Sequence, residues 1–431
     1  LAVHHSGVIT VPKFLGRVEQ VPVHFYNVTA NQTAWEIFYP PFQSAVDSGA
    51  AGIMCDAHEV NGVWACRDFD VLTRDLKDMM GFHGMVVSNH GSAMNYFPDP
   101  QPTSFERGID MTLNEPTRLP ATHKGSAAMV QAAVRVLAAI WHMRLEEDSG
   151  CKLPCTKELK RKVRSEQHSA VAKRAAASAV VLLKNAGDVL PLTQDKVKTV
   201  GLLGPAASEL PQEGTADEAD YYTGVQEEHV DGVKFLSPAF GLWSRGKAKG
   251  IRVTQDLEGA DVCIVVGGSK KHHDHWRVDI ESVYAIEEAG RKCPKVVVLL
   301  EVMGAVLTPW RDKADAIMSI FHAGEETATA WAVTVFGDAS PSGKLPISFP
   351  LVTEEMPEYW REPLPSYMSP SFQHAYPFGH GLSYASFLYQ EIKEKPRCHY
   401  PLCLMVSVLN SHPVNSGAEV VQVYFKFNQH P

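Results

Sequence analysis

The 431-residue sequence lacks any apolar run close to the ~20 residues that a membrane-spanning helix requires. It also lacks a large excess of one charge, because 40 basic and 49 acidic side chains leave a formal net charge of -9. No basic stripe is present that could neutralise phosphates. The sequence therefore predicts neither a membrane span nor a nucleic-acid partner, and its length predicts two or three folded domains.

The sequence signatures of metal and nucleotide sites are missing as well. The cysteines do not form the doubled C-x-x-C spacing of a zinc site, and "GLLGPAA" at 201–207 lacks the glycine pattern of a dinucleotide-binding loop. The segment "KKHHDHW" does contain metal-binding residue types, namely His272, His273, Asp274 and His275. Neighbours in a polar loop rarely converge on one ion, so we expect neither a metal nor another cofactor.

Glycosylation sequons and close cysteine pairs favour an oxidising compartment. Asn27 and Asn31 begin two sequons within "NVTANQT". The closely spaced cysteine pairs are Cys55/Cys66, Cys151/Cys155 and Cys398/Cys403. We expect a secreted protein or one in an endomembrane lumen, with any signal peptide removed or outside this sequence. Chance sequons and buried, reduced cysteines are the alternative.

Residues 35–145 alternate helical and strand patterns. The segments "AWEIFYPPFQSAVDSGA" and "DFDVLTRDLKDMMG" have helical periodicity, and the second ends at Gly81. The apolar runs "AGIMCDA" and "GMVVS" predict buried strands, and a further helix is expected over roughly 124–146. This order predicts parallel strands connected by helices. The segment "SGCKLPCTKELKRK" then predicts a linker, with a domain boundary near 150–165.

A second series of helices and strands follows the linker. The alanine-rich segment "SAVAKRAAASAVVLLKN" predicts one long helix. Continuous apolar runs predict a parallel sheet that is covered on both faces, with the strands "KTVGLLG", "DVCIVVGG", "KVVVLLEV" and "AIMSIFHAG". The last stretch, "LCLMVSVLNSHPVNSGAEVVQVYFKF", alternates apolar and polar residues around an Asn/Ser/Gly turn, which predicts antiparallel strands of a β-sandwich.

Several segments resemble glycoside hydrolase family 3, a family of retaining β-glucosidases and β-xylosidases. They include "YPPFQSAVDSGAAGIMCDAHEVNGVWAC", "LTRDLKDMMGFHGMVVSNHGS", "ERGIDMTLNEP", "FGDASPSGKLPISFP" and "YPFGHGLSYASF", in the order that the family has. The resemblance implies an α/β fold made of the C-terminal part of a (β/α)8 barrel, an α/β sandwich domain and the start of a fibronectin-III-like β-sandwich.

That architecture divides the chain into consecutive regions. We expect a partial barrel at 1–150, a linker and connecting helix at 151–195, the α/β sandwich domain at 196–350, a connecting segment at 351–397 and a truncated fibronectin-III-like domain at 398–431. Half a barrel leaves open strand edges. The N-terminal half of the barrel is therefore expected in the same chain or in another one.

Retaining glycoside hydrolysis requires two carboxyl groups about 5 Å apart, one as nucleophile and one as acid/base. The family's nucleophile is an aspartate at the end of a strand, and Asn89 in "VVSNHGS" occupies the matching position. Catalytic residues of a barrel lie at such carboxyl ends of strands. An uncharged amide neither attacks the anomeric carbon well nor stabilises an oxocarbenium ion. Asn89 therefore predicts impaired hydrolysis.

The acid/base position also departs from the family. The family's acid/base glutamate precedes an R-x-D motif, which Arg277 and Asp279 match here. No glutamate lies between residues 267 and 280, so Asp274 is the candidate substitute, with a neighbouring histidine as the alternative.

The resemblance also implies residues that would bind a β-linked oligosaccharide or glycoside. His5 and Arg17 match family residues that hold the sugar in the first subsite, and His4 stands where the family has a lysine. Asp110 of "GIDM" resembles another position near the sugar, with an ordinary structural carboxylate as the alternative.

Aromatic and cysteine side chains complete the candidate site. Tyr221, Tyr222 and Trp276 are candidates for stacking on sugar rings, with packing beneath a loop as the alternative. Cys55 and Cys66 are expected to form a disulfide across a barrel loop, or else to remain two buried thiols.

Three functions are consistent with these patterns. The first is a carbohydrate-active protein with impaired hydrolysis. The second is an active β-xylosidase or β-glucosidase that uses Asp56 or Asp110, or in which Asn89 deamidates to aspartate. The third is a non-catalytic extracellular interaction module.

Overall fold

The computed structural model describes residues 8–13, 15, 34–56, 59–60, 63–89, 103–113, 125–145, 147, 161–211, 220–223, 234–270, 277–351, 372–398 and 402–424. The chain divides into two compact units. Unit 1 comprises residues 1–162 and 357–365, and unit 2 comprises residues 163–356 and 366–431. None of the helices in the described ranges has both the length and the apolar character needed to cross a bilayer.

Unit 1 alternates helices with short strands. Its strands are β1 (Gly52–Met54), β2 (Glu59–Val60), β3 (Val63–Trp64) and β4 (Met85–Val87). Its helices are α1 (Pro40–Asp47), α2 (Thr103–Arg107) and α3 (Ala127–His142), with π-helical segments at Ala34–Phe38 and Asp70–Met79 and a 3-10 turn at Ala65–Arg67. The helix predicted from "AWEIFYPPFQSAVDSGA" is divided because Pro40 and Pro41 have no N–H to donate, so Pro40 starts α1 instead.

The strands of unit 1 that the sequence predicted are parallel. β1 pairs with β4, and parallel bridges extend this pairing on both sides by joining Leu15 to Cys55 and Val87 to Met111. Four chain segments therefore lie side by side with their carboxyl ends at one edge. The helix between β3 and β4 ends before Gly81, whose φ of 71° is a left-handed conformation that glycine adopts readily.

The core of unit 1 lies between the helix Asp70–Met79 and the parallel strands. Leu72 and Leu76, on one face of that helix, pack with Ile53 of β1 and Val86 of β4, and all four side chains are fully buried. Apolar residues four positions apart lie on the same side of a helix. Because Ile53 and Val86 must face the helix, their burial fixes the position of β1 and β4 along the sheet, and with it the residues that follow each strand.

Unit 2 contains a six-stranded sheet and two small antiparallel pairs. Its strands are β5 (Val181–Asn185), β6 (Thr199–Leu203), β7 (Arg252–Thr254), β8 (Val262–Gly268), β9 (Val296–Val302), β10 (Ala316–Phe321), β11 (Phe349–Pro350), β12 (His374–Tyr376), β13 (Phe387–Glu394) and β14 (Leu404–Asn410). Its α-helices are α4 (Glu166–Ala179), α5 (Pro238–Ala248), α6 (Ile280–Lys292) and α7 (Thr327–Val335). The order in the sheet is β5-β10-β9-β8-β6-β7, and all of its pairings are parallel except that of β5 with β10.

The helix predicted from "SAVAKRAAASAVVLLKN" is wrong in its last part. α4 ends at Ala179, and the residues after Val180 form the edge strand β5. Val181, Leu182 and Leu183 are all buried in this strand, and adjacent β-branched valines favour an extended backbone. The region 151–195 therefore contains a strand of the sheet as well as a helix. β7, in "IRVTQ", was not predicted from the sequence.

The strand pairing near the end of the chain also differs from the prediction. β14 pairs with β13, and the connection between them carries a disulfide between Cys398 and Cys403. The sequence predicted pairing across the later Asn/Ser/Gly turn, but residues 418–424 form no strand. β13 was not predicted from the sequence. Its segment "YQEIKEK" is rich in charged residues, and its side chains are exposed, so the sequence shows no alternation that would indicate a buried face.

Candidate functional site

Asn89 lies just beyond β4, at the carboxyl edge of the parallel segments of unit 1, and is half-buried. The buried Ser88 before it accepts a hydrogen bond of 3.1 Å from the Leu113 N–H through its hydroxyl. Asp56, also buried, follows the neighbouring strand β1. The fold therefore places the Asn89 amide at the end of β4 and the Asp56 carboxylate after the adjacent strand β1.

Asp110 is a buried carboxylate that binds other side chains of unit 1. Its Oδ2 accepts hydrogen bonds from the Val86 N–H at 2.8 Å and from Lys77 Nζ at 3.0 Å, and its Oδ1 accepts one from Arg135 at 3.1 Å. Burial lowers the pKa of Lys77, and the Asp110 carboxylate opposes that shift. These contacts favour a structural role for Asp110 over the sugar-binding role that the resemblance implied.

Several candidates from the sequence lie outside the described residues. They are His4, His5, Arg17, Asn27, Asn31, Asp274 and Trp276. Their roles in sugar binding, glycosylation, acid/base chemistry and stacking stay predictions. Within the described ranges, no group of three or more His, Cys, Asp or Glu side chains is arranged to hold a metal ion.

Cys55 and Cys66 are joined by a disulfide, with their Cα atoms 5.2 Å apart. Cys55 directly follows β1, and Cys66 belongs to the 3-10 turn at Ala65–Arg67. The bridge therefore closes the loop that begins at Asp56, and it joins the two cysteines that the sequence analysis paired. A further disulfide, between Cys263 and Cys293, was not indicated by any close spacing in the sequence.

Unit 2 contains a cavity of about 870 Å³ at the carboxyl edge of its parallel strands. Pro205, which follows β6, and Ser269 and Lys270, which follow β8, line it. The chain passes from β6 to β7 on one side and then to β8 on the other, so the strand order reverses between β6 and β8. In open α/β sheets, ligands bind in the crevice at such a reversal.

Two polar side chains in the cavity wall, Lys270 and Tyr221, are each paired with a carboxylate. Lys270 pairs with Glu209, and its Nζ lies 4.9 Å from the centre of the Tyr221 ring. The Tyr221 hydroxyl donates a hydrogen bond of 2.7 Å to Asp279, the residue at the start of α6. Asp279, which the sequence matched to a family motif, is therefore held against the segment that contains Tyr221.

Tyr221 and Tyr222 are packed in the core and are only 2% and 0% exposed. The Tyr222 hydroxyl donates a hydrogen bond of 2.5 Å to the Glu209 carbonyl. Burial raises the pKa of both hydroxyls, so both remain hydrogen-bond donors at neutral pH. Tyr222 is therefore a packed core residue and is not part of the cavity lining. Tyr221 is buried as well, but it forms part of the cavity wall.

Glu301 is a buried carboxyl group that the sequence analysis did not single out. It lies in β9, and its carbonyl accepts a hydrogen bond of 3.1 Å from the N–H of Ser269 in the cavity wall. Its Oε1 accepts one of 2.7 Å from the Trp331 indole, and Oε2 has no hydrogen-bond partner among the described residues. Burial raises the pKa of Glu301 to about 8, so it is uncharged at neutral pH. The sequence feature that could have indicated Glu301 is a single acidic residue inside the apolar run "VVVLLEV".

Glu301→Gln is expected to remove a pH dependence of stability. The folded state keeps the Glu301 proton up to about pH 8, whereas the unfolded state loses it near the ordinary pKa of 4.5. The folded state therefore binds more protons between these values, and the free energy of unfolding falls by up to about 1.4 kcal/mol for each pH unit of increase. Urea unfolding at several pH values within this window measures the slope.

Glu288→Gln is the matched control, because Glu288 lies on α6 in the same unit and pairs with Lys292 at the surface. This pairing holds the pKa of Glu288 below its usual range, so Glu288 titrates below the window. The control should keep the native slope. An unchanged slope in Glu301→Gln would mean that another group titrates.

The parallel sheet defines an α/β protein with a cavity where its strand order reverses. Residues 3–139 match the glycosyl hydrolase family 3 N terminal domain, and residues 180–384 match the glycosyl hydrolase family 3 C-terminal domain. The chain therefore belongs to glycoside hydrolase family 3.

Curated relatives are about a quarter identical to this chain over the aligned residues. The periplasmic β-glucosidase of Salmonella typhimurium is 27% identical over 92% of this chain and 61% of its own length. A putative β-xylosidase of Formosa agariphila is 27% identical over 92% of this chain and 57% of its own length. The chain thus spans about three fifths of the length of these relatives.

Solved structures show the same fold. The β-D-glucoside glucohydrolase of Trichoderma reesei has a TM-score of 0.76 and 20% identity, over 91% of this chain and 62% of that chain. The family 3 β-glucosidase of Bifidobacterium adolescentis has a TM-score of 0.73 and 21% identity, over 95% of this chain and 64% of that chain.

Proposed function

We propose that this protein binds β-glycosides on a glycoside hydrolase family 3 scaffold and that its hydrolysis is impaired. The names of its relatives, β-glucosidase and β-xylosidase, suggest β-glucosides and β-xylosides as ligands. The observation that carries the impairment is Asn89 at the strand end where the family has its nucleophile. An amide oxygen has no charge and the amide nitrogen lone pair is delocalised, so Asn89 supplies neither a nucleophile nor a stabilising charge.

The carboxylates that could replace the nucleophile are poorly suited to attack. Asp110 accepts hydrogen bonds from Lys77, Arg135 and a backbone N–H, and moving it would leave two cations without their counter-charge. Asp56 follows a different strand from Asn89. A nucleophile must approach the anomeric carbon within about 3–3.5 Å, so attack from Asp56 would require the sugar to bind in a shifted position.

Further features of the proposal concern architecture and location. Unit 1 would form part of a (β/α)8 barrel, which its four parallel segments support. The hairpin of β13 and β14 would begin a fibronectin-III-like domain. Secretion or an endomembrane lumen is supported by the disulfides Cys55–Cys66 and Cys398–Cys403, because such bonds persist in oxidising compartments.

The test measures binding and turnover separately on the native protein. Calorimetry with a thio-linked β-glucoside, which resists hydrolysis, is expected to detect binding. Release of 4-nitrophenol from the aryl β-glucoside and β-xyloside is expected to stay at the level of an Asn89→Ala variant. Mass spectrometry of the peptide that contains Asn89 controls for deamidation.

Two outcomes would contradict the proposal in different ways. Steady turnover by protein with an intact Asn89 amide would mean that hydrolysis is not impaired and that another carboxylate attacks. No binding of either sugar class would mean that this scaffold does not recognise β-glycosides.

A further inference from the structure

We propose that the cavity of unit 2 binds a flat, largely apolar ring, of the aromatic class, in preference to a sugar. Describing this ring as the aglycone of a glycoside rests on the proposed function, whereas the binding of a free aromatic compound does not. The cavity, about 870 Å³ in volume, has the size of small-molecule sites and opens where the strand order reverses between β6 and β8.

The cavity wall is mainly apolar. Several segments of unit 2 contribute its apolar residues, which include Pro205, Val278, Ile280, Val283, Leu307, Pro309 and Leu351. Trp310, which is 3% exposed, also belongs to the lining. Burial of apolar ligand surface against such a wall is favourable in proportion to the area removed from water.

Two polar side chains of the cavity wall already have partners within unit 2. Lys270 is engaged by Glu209, and the Tyr221 hydroxyl is engaged by Asp279. Of the charged side chains in the lining, Arg277 and Glu281 form no hydrogen bond or ion pair with another described residue.

This balance of groups favours an aromatic ring over a sugar. A sugar ring carries several hydroxyl groups, and each one that is buried without a partner weakens binding about tenfold or more. A ring with a single hydroxyl needs only one or two partners, which Arg277 and Glu281 can supply as donor and acceptor. The apolar remainder of such a ligand matches the remainder of the wall.

The test uses 2-naphthol as the probe and two carboxylate substitutions on the same helix. Ile280 and Tyr284 both lie on α6 and are 55% and 62% exposed, so a glutamate at either position faces solvent in the folded protein. Ile280 lines the cavity, and Tyr284 is not part of its lining. Calorimetry on the native protein should give a Kd below about 1 mM for 2-naphthol.

Ile280→Glu should weaken the binding of 2-naphthol at least tenfold, and Tyr284→Glu should change it by less than twofold. Cellobiose binding should be the same in both variants. The proposal is overturned if the native protein does not bind 2-naphthol, if both variants lose binding equally, or if Ile280→Glu weakens cellobiose as much as 2-naphthol.

The same measurements separate this proposal from the proposed function. Binding of a thio-linked β-glucoside without binding of 2-naphthol would contradict the aromatic site alone. Binding of 2-naphthol without binding of any β-glycoside would support the aromatic site and contradict the proposed function.

Discussion

The Asn89→Asp variant is expected to release 4-nitrophenol from an aryl β-glucoside at least ~10³-fold faster than the native protein in the first turnover. The substitution places a charged oxygen at the carboxyl end of β4 without a change in side-chain size. Nitrophenolate is a good leaving group, so its departure needs little proton donation. The variant therefore tests the nucleophile position even though no glutamate lies between residues 267 and 280.

The second chemical step determines the form of the kinetics. Hydrolysis of a glycosyl-enzyme intermediate requires a base that activates water. Without that base, we expect a burst of about one equivalent of nitrophenol followed by slow turnover, which is the kinetic signature of an accumulating covalent intermediate. Mass spectrometry of the intact protein should then detect the mass of one added glycosyl group.

Asn89→Ala is the matched control, because alanine at this strand end offers no nucleophile. It should give no burst. If Asn89→Asp is folded, binds the β-glucoside and still gives no burst, position 89 does not hold the nucleophile. An equal burst from the native protein and from Asn89→Ala would place the nucleophile on another residue.

Much of the fold could be predicted because burial dominates in its centre. Every residue of β8 and β9 is buried, so the runs "DVCIVVGG" and "KVVVLLEV" reveal parallel strands without any periodicity. Prediction failed where local preference and tertiary contacts differ. The alanine-rich residues before Val180 form a helix, but the apolar residues after it are buried as the edge strand beside β10. The pairing with β10 and the bridge from Leu182 to Leu382 are contacts that distinguish the strand from a helix.

The candidate site could be predicted only where its residues are local in sequence. Asn89 follows its strand directly, and Cys55 and Cys66 flank one loop, so sequence patterns were enough to find them. Glu301 depends on Trp331, which the chain reaches only after another strand and turn. The cavity likewise joins Pro205 to segments far along the chain. Such contacts exist only in the folded sheet, and no single-sequence pattern encodes them.

Replacing Asp110 by asparagine is expected to destabilise unit 1 by about 3–5 kcal/mol. Asparagine keeps the shape of the side chain, but it removes the counter-charge of Lys77 and Arg135. The Lys77 side chain is only 8% exposed, and burial already lowers its pKa. Without the Asp110 carboxylate, the buried Lys77 ammonium would lack its negatively charged partner. The folded state would therefore be less stable relative to the unfolded state.

Hydrogen exchange of the β4 amides measures this effect within unit 1, because the Val86 N–H donates directly to Asp110. Asp70→Asn is the matched control, since Asp70 and Arg74 form an exposed ion pair that contributes at most about 1 kcal/mol. Adding Lys77→Met to Asp110→Asn should recover part of the loss, because it removes the buried cation. If Asp110→Asn instead leaves exchange in β4 unchanged and weakens β-glucoside binding, Asp110 is a sugar ligand and the structural interpretation is wrong.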